Sequence, residues 1–276
     1  MNLTLRDRAR NSRTPHHQAG LTLLEMLISI SLGLLLVFGI GTIFVGSNQT
    51  YRVQEENARI QEAGRYALEI IGRNLRQAGY ADISIDPVAT KTAFQGTPVN
   101  GVNTICPLGT PVTDLLTVQY DGRVGEQDCQ ANNVNAGDIV QHTFFIENNV
   151  LRCNAVRAAA APAPPAACPA ANTGVELLNN VEDLQVLYGI DITGDQSADR
   201  YTATPANWNQ VVTARVCVLV RSPNIGVVAG NQNFLNCAGA LGTVAAGAAF
   251  TNAADTRLRR AFVATFNLRN RVNNLP

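Results

Sequence analysis

The sequence predicts an α+β protein in which one long amino-terminal helix packs on an antiparallel β-sheet. Three observations carry that expectation. No proline interrupts residues 21–79, whose first half is almost wholly apolar and whose second half is amphipathic. Several later segments alternate apolar and polar residues with a period of two. All six cysteines lie beyond the apolar run.

Residues 21–45, LTLLEMLISISLGLLLVFGIGTIFV, carry a single formal charge, Glu25. As a helix they would extend roughly 37 Å, enough to cross a hydrocarbon core of about 30 Å. The basic leader, residues 1–20, holds Arg6, Arg8, Arg10 and Arg13 against Asp7. That bias places it in the cytoplasm and the rest of the chain outside. A signal peptide has a shorter apolar core followed, not preceded, by a small residue at its cut. A carboxylate inside a membrane segment is costly without a partner, so Glu25 is a functional candidate.

The amphipathic half follows at 46–79. Ile60, Ala63, Ala67, Ile70, Ile71, Leu75 and Ala78 recur at three- and four-residue steps, with Arg59, Glu62, Arg65, Glu69, Arg73 and Arg76 on the solvated face. Gly79 is the expected stop. The whole helix would hold about 59 residues and extend roughly 90 Å.

Residues 80–276 read as a β-rich globular domain. Residues 80–114, rich in Pro, Gly, Thr and Asn, read as irregular. Leu116, Val118 and Tyr120 alternate with Thr117 and Gln119 as a strand. Residues 139–147, Asn148-Asn149 and 150–153 form a hairpin pattern. The proline-rich stretch 158–171 excludes a continuous helix or a central strand and reads as a surface loop. Further strands are expected at 184–190, 211–221 and 260–268, the last with Phe262, Ala264, Phe266 and Leu268 inward.

Without the leader 256 residues remain, with 17 basic and 20 acidic side chains and a net charge of −3. No overall basic excess points to nucleic acid. Cys106, Cys129, Cys153, Cys168, Cys217 and Cys237 include no C-x-x-C pair, which removes zinc-ribbon and thioredoxin-like readings. In an oxidising compartment they are expected as disulfides. Fifteen pairings are open. The expectation is sequential, Cys106–Cys129, Cys153–Cys168 and Cys217–Cys237, each closing a local loop.

Asp191, Thr193, Asp195, Ser197 and Asp199 place oxygens at every second residue, the rhythm of a calcium loop. Glycine falls fourth rather than sixth, however, and Thr202 stands where the twelfth-position glutamate belongs. A weak Ca²⁺ site and a polar turn both fit; no other cofactor is expected. Catalysis is not expected either. Beyond the leader the one histidine is His142, in a strand, and G-x-S-x-G, H-E-x-x-H and P-loop patterns are missing. Arg257, Arg259, Arg260, Arg269 and Arg271 cluster near the carboxyl end, but few aromatics interleave with them to stack bases, so DNA is not the expected partner.

Gly20, apolar Leu21 and Glu25 resemble the processing site of type IV prepilins. Residues 59–80 (RIQEAGRYALEIIGRNLRQAGY), 177–191 (LLNNVEDLQVLYGID) and 218–222 (VLVRS) resemble the PilW family of minor pilins. The resemblance implies a type IV pilin-like fold, cleavage by a prepilin peptidase after Gly20 and N-methylation of Leu21. It implies that Glu25 neutralises an amino terminus during assembly. It also implies a single-pass inner-membrane subunit with its domain in the periplasm, later part of the pilus. Implied partners are other minor pilins, the major pilin, the assembly machinery and a tip adhesin. The implied role is priming of pilus assembly, supporting twitching motility, adhesion and DNA uptake. A type II secretion pseudopilin and a pilus-associated DNA-binding subunit are the alternatives.

Overall fold

The computed structural model describes residues 20–82, 94–106, 113–165, 167–228 and 230–270, except for the side chains of 104–106. The leader cations, the Cys106 side chain and Arg271 therefore lie outside the described residues. The chain divides into two units, Met1–Thr50 and Tyr51–Pro276. Helix α1, Leu23–Gln77, contributes to both. It ends as the glycine signal predicts. The Ala78 N–H still reaches the Asn74 carbonyl, whereas that of Gly79, at φ +71°, turns away to the Gln119 carbonyl.

In the second unit, β1 (Val99–Cys106), β2 (Thr113–Asp121), β3 (Ile139–Glu147), β4 (Val150–Ala158) and β5 (Val175–Asn179) form an antiparallel sheet in chain order. The β3–β4 turn uses Asn148 and Asn149 at φ 52° and 62°, the left-handed pair that a two-residue hairpin needs. Strands β6 (Val181–Ile190), β7 (Arg200–Thr202) and β8 (Val211–Arg221) belong to a second sheet. A short hairpin, β9 (Gln232–Leu235) and β10 (Phe250–Ala253), encloses helix α2 (Cys237–Leu241). Strand β11 (Arg259–Asn267) completes the second sheet in the order β11-β8-β6-β7. Strands thus occupy part of 80–114, where irregular structure was expected. Of that stretch, 83–93 and 107–112 lie outside the described residues.

The periodic face of α1 is core. Ile60, Ala67, Ile71 and Leu75 meet Leu116, Val118 and Phe144 of the first sheet, and Leu184, Val186, Val216 and Val218 of the second. Strand β11 presents Phe262 and Phe266 to the helix where α1 has no side chain: a Cβ on Gly64 would run into the Phe262 ring, and one on Gly72 into the Phe266 ring. The spacings agree. Eight helical residues advance about 12 Å and four strand residues about 13 Å. Behind the second sheet, Leu187, Cys217 and Leu219 are covered by Phe234, Cys237 and Leu241, so β6 and β8 are buried on both faces.

Two of the three expected disulfide pairings are wrong. Cys129 bonds to Cys153, which excludes both Cys106–Cys129 and Cys153–Cys168; Cys217–Cys237 is as expected. Sheet geometry gives the reason. Cys153 joins the core on the α1 face, while Cys168, also disulfide-bonded, packs with Leu115 and Phe145 on the other face. The loop between β2 and β3 folds back over β3 and β4, where Gln130 accepts a hydrogen bond from the Ala155 N–H, and this brings Cys129 to Cys153. The proline-rich stretch is therefore not enclosed by a Cys153–Cys168 bridge.

Candidate functional site

Gly20 precedes α1, and Leu21, 77% exposed, follows it. Thr22 caps the helix: its hydroxyl accepts from the Glu25 N–H at 3.3 Å and its carbonyl from the N–H groups of Glu25 and Met26. Thr22 and Glu25 stand in the spacing of a capping box, a signal that reading Glu25 for its charge alone misses. The carboxylate falls in the first turn, at the positive end of the helix dipole. Hydroxyls further along are satisfied within the helix. Ser29 donates to the Glu25 carbonyl at 2.7 Å, Ser31 to that of Leu27 at 2.8 Å and Thr42 to that of Gly39 at 2.8 Å. Such internal bonds are what a polar group needs in an apolar surrounding. The Glu25 carboxylate, by contrast, meets no ion-pair or hydrogen-bond partner among the described residues. Helix α1 is long and apolar enough at its amino-terminal end to cross a membrane.

The acidic loop is self-contained. Asp191 accepts from the backbone N–H groups of Gly194 and Gln196 at 2.6 and 2.9 Å, one on each oxygen. Asp199 accepts from the N–H groups of Ile192 and Thr193 at 2.6 and 3.1 Å, and the Thr193 hydroxyl lies 3.3 Å away. These backbone bonds hold the Asp199 carboxyl below its ordinary range. Asp195 accepts from the Ser197 N–H. The carboxylates are arranged as the caps of a tight turn.

Among the described residues, one group brings three metal-capable side chains within 4.8 Å: Cys129, His142 and Cys153. Its two sulfurs are joined to each other as a disulfide. His142, 4% exposed, accepts the Cys129 N–H on Nε2 at 3.1 Å, so Nδ1 carries the proton and donates to Asn74 Oδ1 at 2.6 Å. Burial pushes the imidazole down to about 4, against a smaller opposing pull from Asp128. Both nitrogens serve the packing of α1, β3 and the disulfide loop.

Among the described residues the carboxy-terminal arginines do not converge on one surface. Arg259, 6% exposed at its side chain, pairs with Glu182 at 2.7 Å and with Asp255 at 2.6 Å; Arg221 adds a second cation on Glu182 at 3.1 Å. Hydrogen bonding to Arg259 draws the Asp255 carboxyl down to about 2. Arg257 donates to the carbonyls of Ser222 and Pro223. Arg260 lies against the Phe262 ring, and Arg269 is exposed at the rim of a half-open cleft with Asn267, Tyr201 and Thr213.

The comparisons separate these candidates. Residues 15–41 match the prokaryotic N-terminal methylation motif, and residues 143–270 match the family model of type IV pilus-assembly protein W. Just under half of the chain thus resembles a type IV pilus-assembly protein. No curated protein matches it. A solved type IV-like pilin from Thermus thermophilus is similar at 16% identity and a TM-score of 0.48, covering 78% of this chain and 98% of that one. The PilW match begins inside β3 and runs past β11, so it takes in the Cys217–Cys237 staple, the acidic loop and the strand that carries Phe262 and Phe266. The methylation motif takes in Gly20, Leu21 and Glu25. Both matches are to pilus-type sequences, and the apolar amino-terminal end of α1 is suited to a membrane.

Proposed function

We propose that this chain is a minor pilin, made as a prepilin, that primes type IV pilus assembly. Cleavage after Gly20 and N-methylation of Leu21 would release a helix whose hydroxyls are already satisfied and whose Glu25 carboxylate still needs a partner. That contrast is the observation that carries the reading. In an apolar helix bundle an unpaired carboxylate is expensive, and the ammonium of a neighbouring subunit's residue 21 offsets the cost while setting the axial register. Before assembly the subunit is a single-pass inner-membrane protein with its domain in the periplasm, where the disulfides persist. Partners are the prepilin peptidase, the other minor pilins, the major pilin, the assembly machinery and a tip adhesin. Support of twitching motility, adhesion and DNA uptake follows from the pilus rather than from a site on this chain. The role needs no metal.

The test is deletion in the native host with two readouts. Loss of surface pili with normal exoprotein secretion is expected. Normal piliation with lost secretion would make the chain a type II secretion pseudopilin instead.

A further inference from the structure

We infer that the outer edge of β11 at residues 261–267 receives an extended strand from a neighbouring pilin subunit, with an acidic side chain of that strand meeting Arg65 and Arg260. This rests on the minor-pilin reading and adds to it a surface and a binding mode. β11 ends the second sheet and pairs with β8 on one side in an unbroken register from Arg259 to Asn267. The Leu268 N–H bonds the Val212 carbonyl, so even-numbered residues face β8 and odd-numbered ones face outward. At Arg259 the outward N–H is taken by Gln232 Oε1 at 3.1 Å. The outward N–H and C=O groups of Ala261, Val263, Thr265 and Asn267 have no partner among the described residues.

Exposed edges are ordinarily blunted by charge, proline or a bulge. The stretch AFVATFN has none of these, and its β-branched Val263 and Thr265 are exposed, Val263 at 41%. It is a surface that a strand can extend. Charge narrows the occupant. Arg65 follows Gly64, which seats Phe262, by 100° around the helix, and Arg260 stacks 5.8 Å from that same ring. Neither cation forms an ion pair among the described residues. An incoming strand therefore suits this edge when it is uncharged except for an acidic residue opposite Phe262.

The experiment uses the full chain co-expressed with the other pilins of its host. Amide hydrogen exchange at 263, 265 and 267 is compared between the chain alone and its purified complex. At least roughly tenfold slowing at these outward amides is expected. Thr265→Pro removes one outward N–H and leaves the ladder to β8 complete; it should keep the parental unfolding temperature and disulfides but enter the complex roughly tenfold less. Arg65→Glu should act in the same direction. A complex that forms while these amides exchange as fast as in the free chain overturns the edge and leaves the pilin reading standing. Parental incorporation of Thr265→Pro overturns it too. Failure of the parent chain to enter any pilin complex overturns the pilin reading, and the edge with it.

Discussion

Nδ1 of His142 donates to Oδ1 of Asn74 at 2.6 Å, joining β3 to the last turns of α1 across 68 positions of sequence. With Nε2 accepting the Cys129 N–H, one imidazole ties together the helix, the first sheet and the loop stapled by Cys129–Cys153. Asn74→Leu leaves the buried Nδ1–H without an acceptor and should cost about 1–3 kcal/mol in urea denaturation. A loss within the error of the measurement would show that the bond does not hold the helix.

Acidification acts on this site and on Asp183 in opposite senses. His142 is lowered to about 4, so between pH 6.5 and 4 the unfolded chain binds the extra proton and stability falls with falling pH. Burial raises the Asp183 carboxyl to about 6, so between pH 6 and 4 the folded chain holds the extra proton and stability rises with falling pH. The two largely offset each other. Asp183→Asn removes the second alone. Relative to its parent the variant should gain roughly 2–3 kcal/mol between pH 4 and pH 7, and its own stability should fall more steeply on acidification. A variant-minus-parent difference that stays constant across that range would refute the assignment.

Gly64→Ala and Gly72→Ala drive a methyl group into the rings of Phe262 and Phe266. Each should destabilise by about 1–3 kcal/mol, although alanine is the better helix former. Combining Gly64→Ala with Phe262→Leu should recover part of the loss. A gain in stability from either single variant would mean that the ring has room to move.

The disulfide assignment has a direct check. Tryptic digestion of the unreduced protein should yield residues 124–152 linked to 153–157, joined by Cys129–Cys153. A peptide linking Cys153 to Cys168 would contradict the opposite-face placement of those two residues.

Calcium should leave the protein unchanged. Asp191 and Asp199 already accept backbone N–H groups, so addition or chelation of Ca²⁺ is expected not to move the unfolding temperature. A calcium-dependent rise would restore a binding role to the 191–199 loop.

Elements that depend on local pattern were legible in the sequence. The three- and four-residue apolar steps of α1, the Asn148-Asn149 turn and the inward alternation of Phe262, Ala264, Phe266 and Leu268 all correspond to the structure. β1, β5, β7, β9 and β10 were missed. They are short or carry Asn and Gly, and their pairing is decided by neighbours rather than by propensity. The amino-terminal methylation motif was legible because its residues lie close together in the sequence. Cys129–Cys153, His142–Asn74 and the glycine seats for the two phenylalanines were not, since each depends on which faces of distant elements meet. Thr22 was readable and overlooked.

The Gly64–Phe262 and Gly72–Phe266 contacts act as a mechanical key. Sliding α1 along its axis by one residue, about 1.5 Å, would replace each glycine seat with a position that carries a side chain. Tension applied along this part of the helix is thereby transferred as shear into β11 and through its ladder to β8. There Cys217 is covalently bound to Cys237, so the load path ends in a bond that thermal motion does not break.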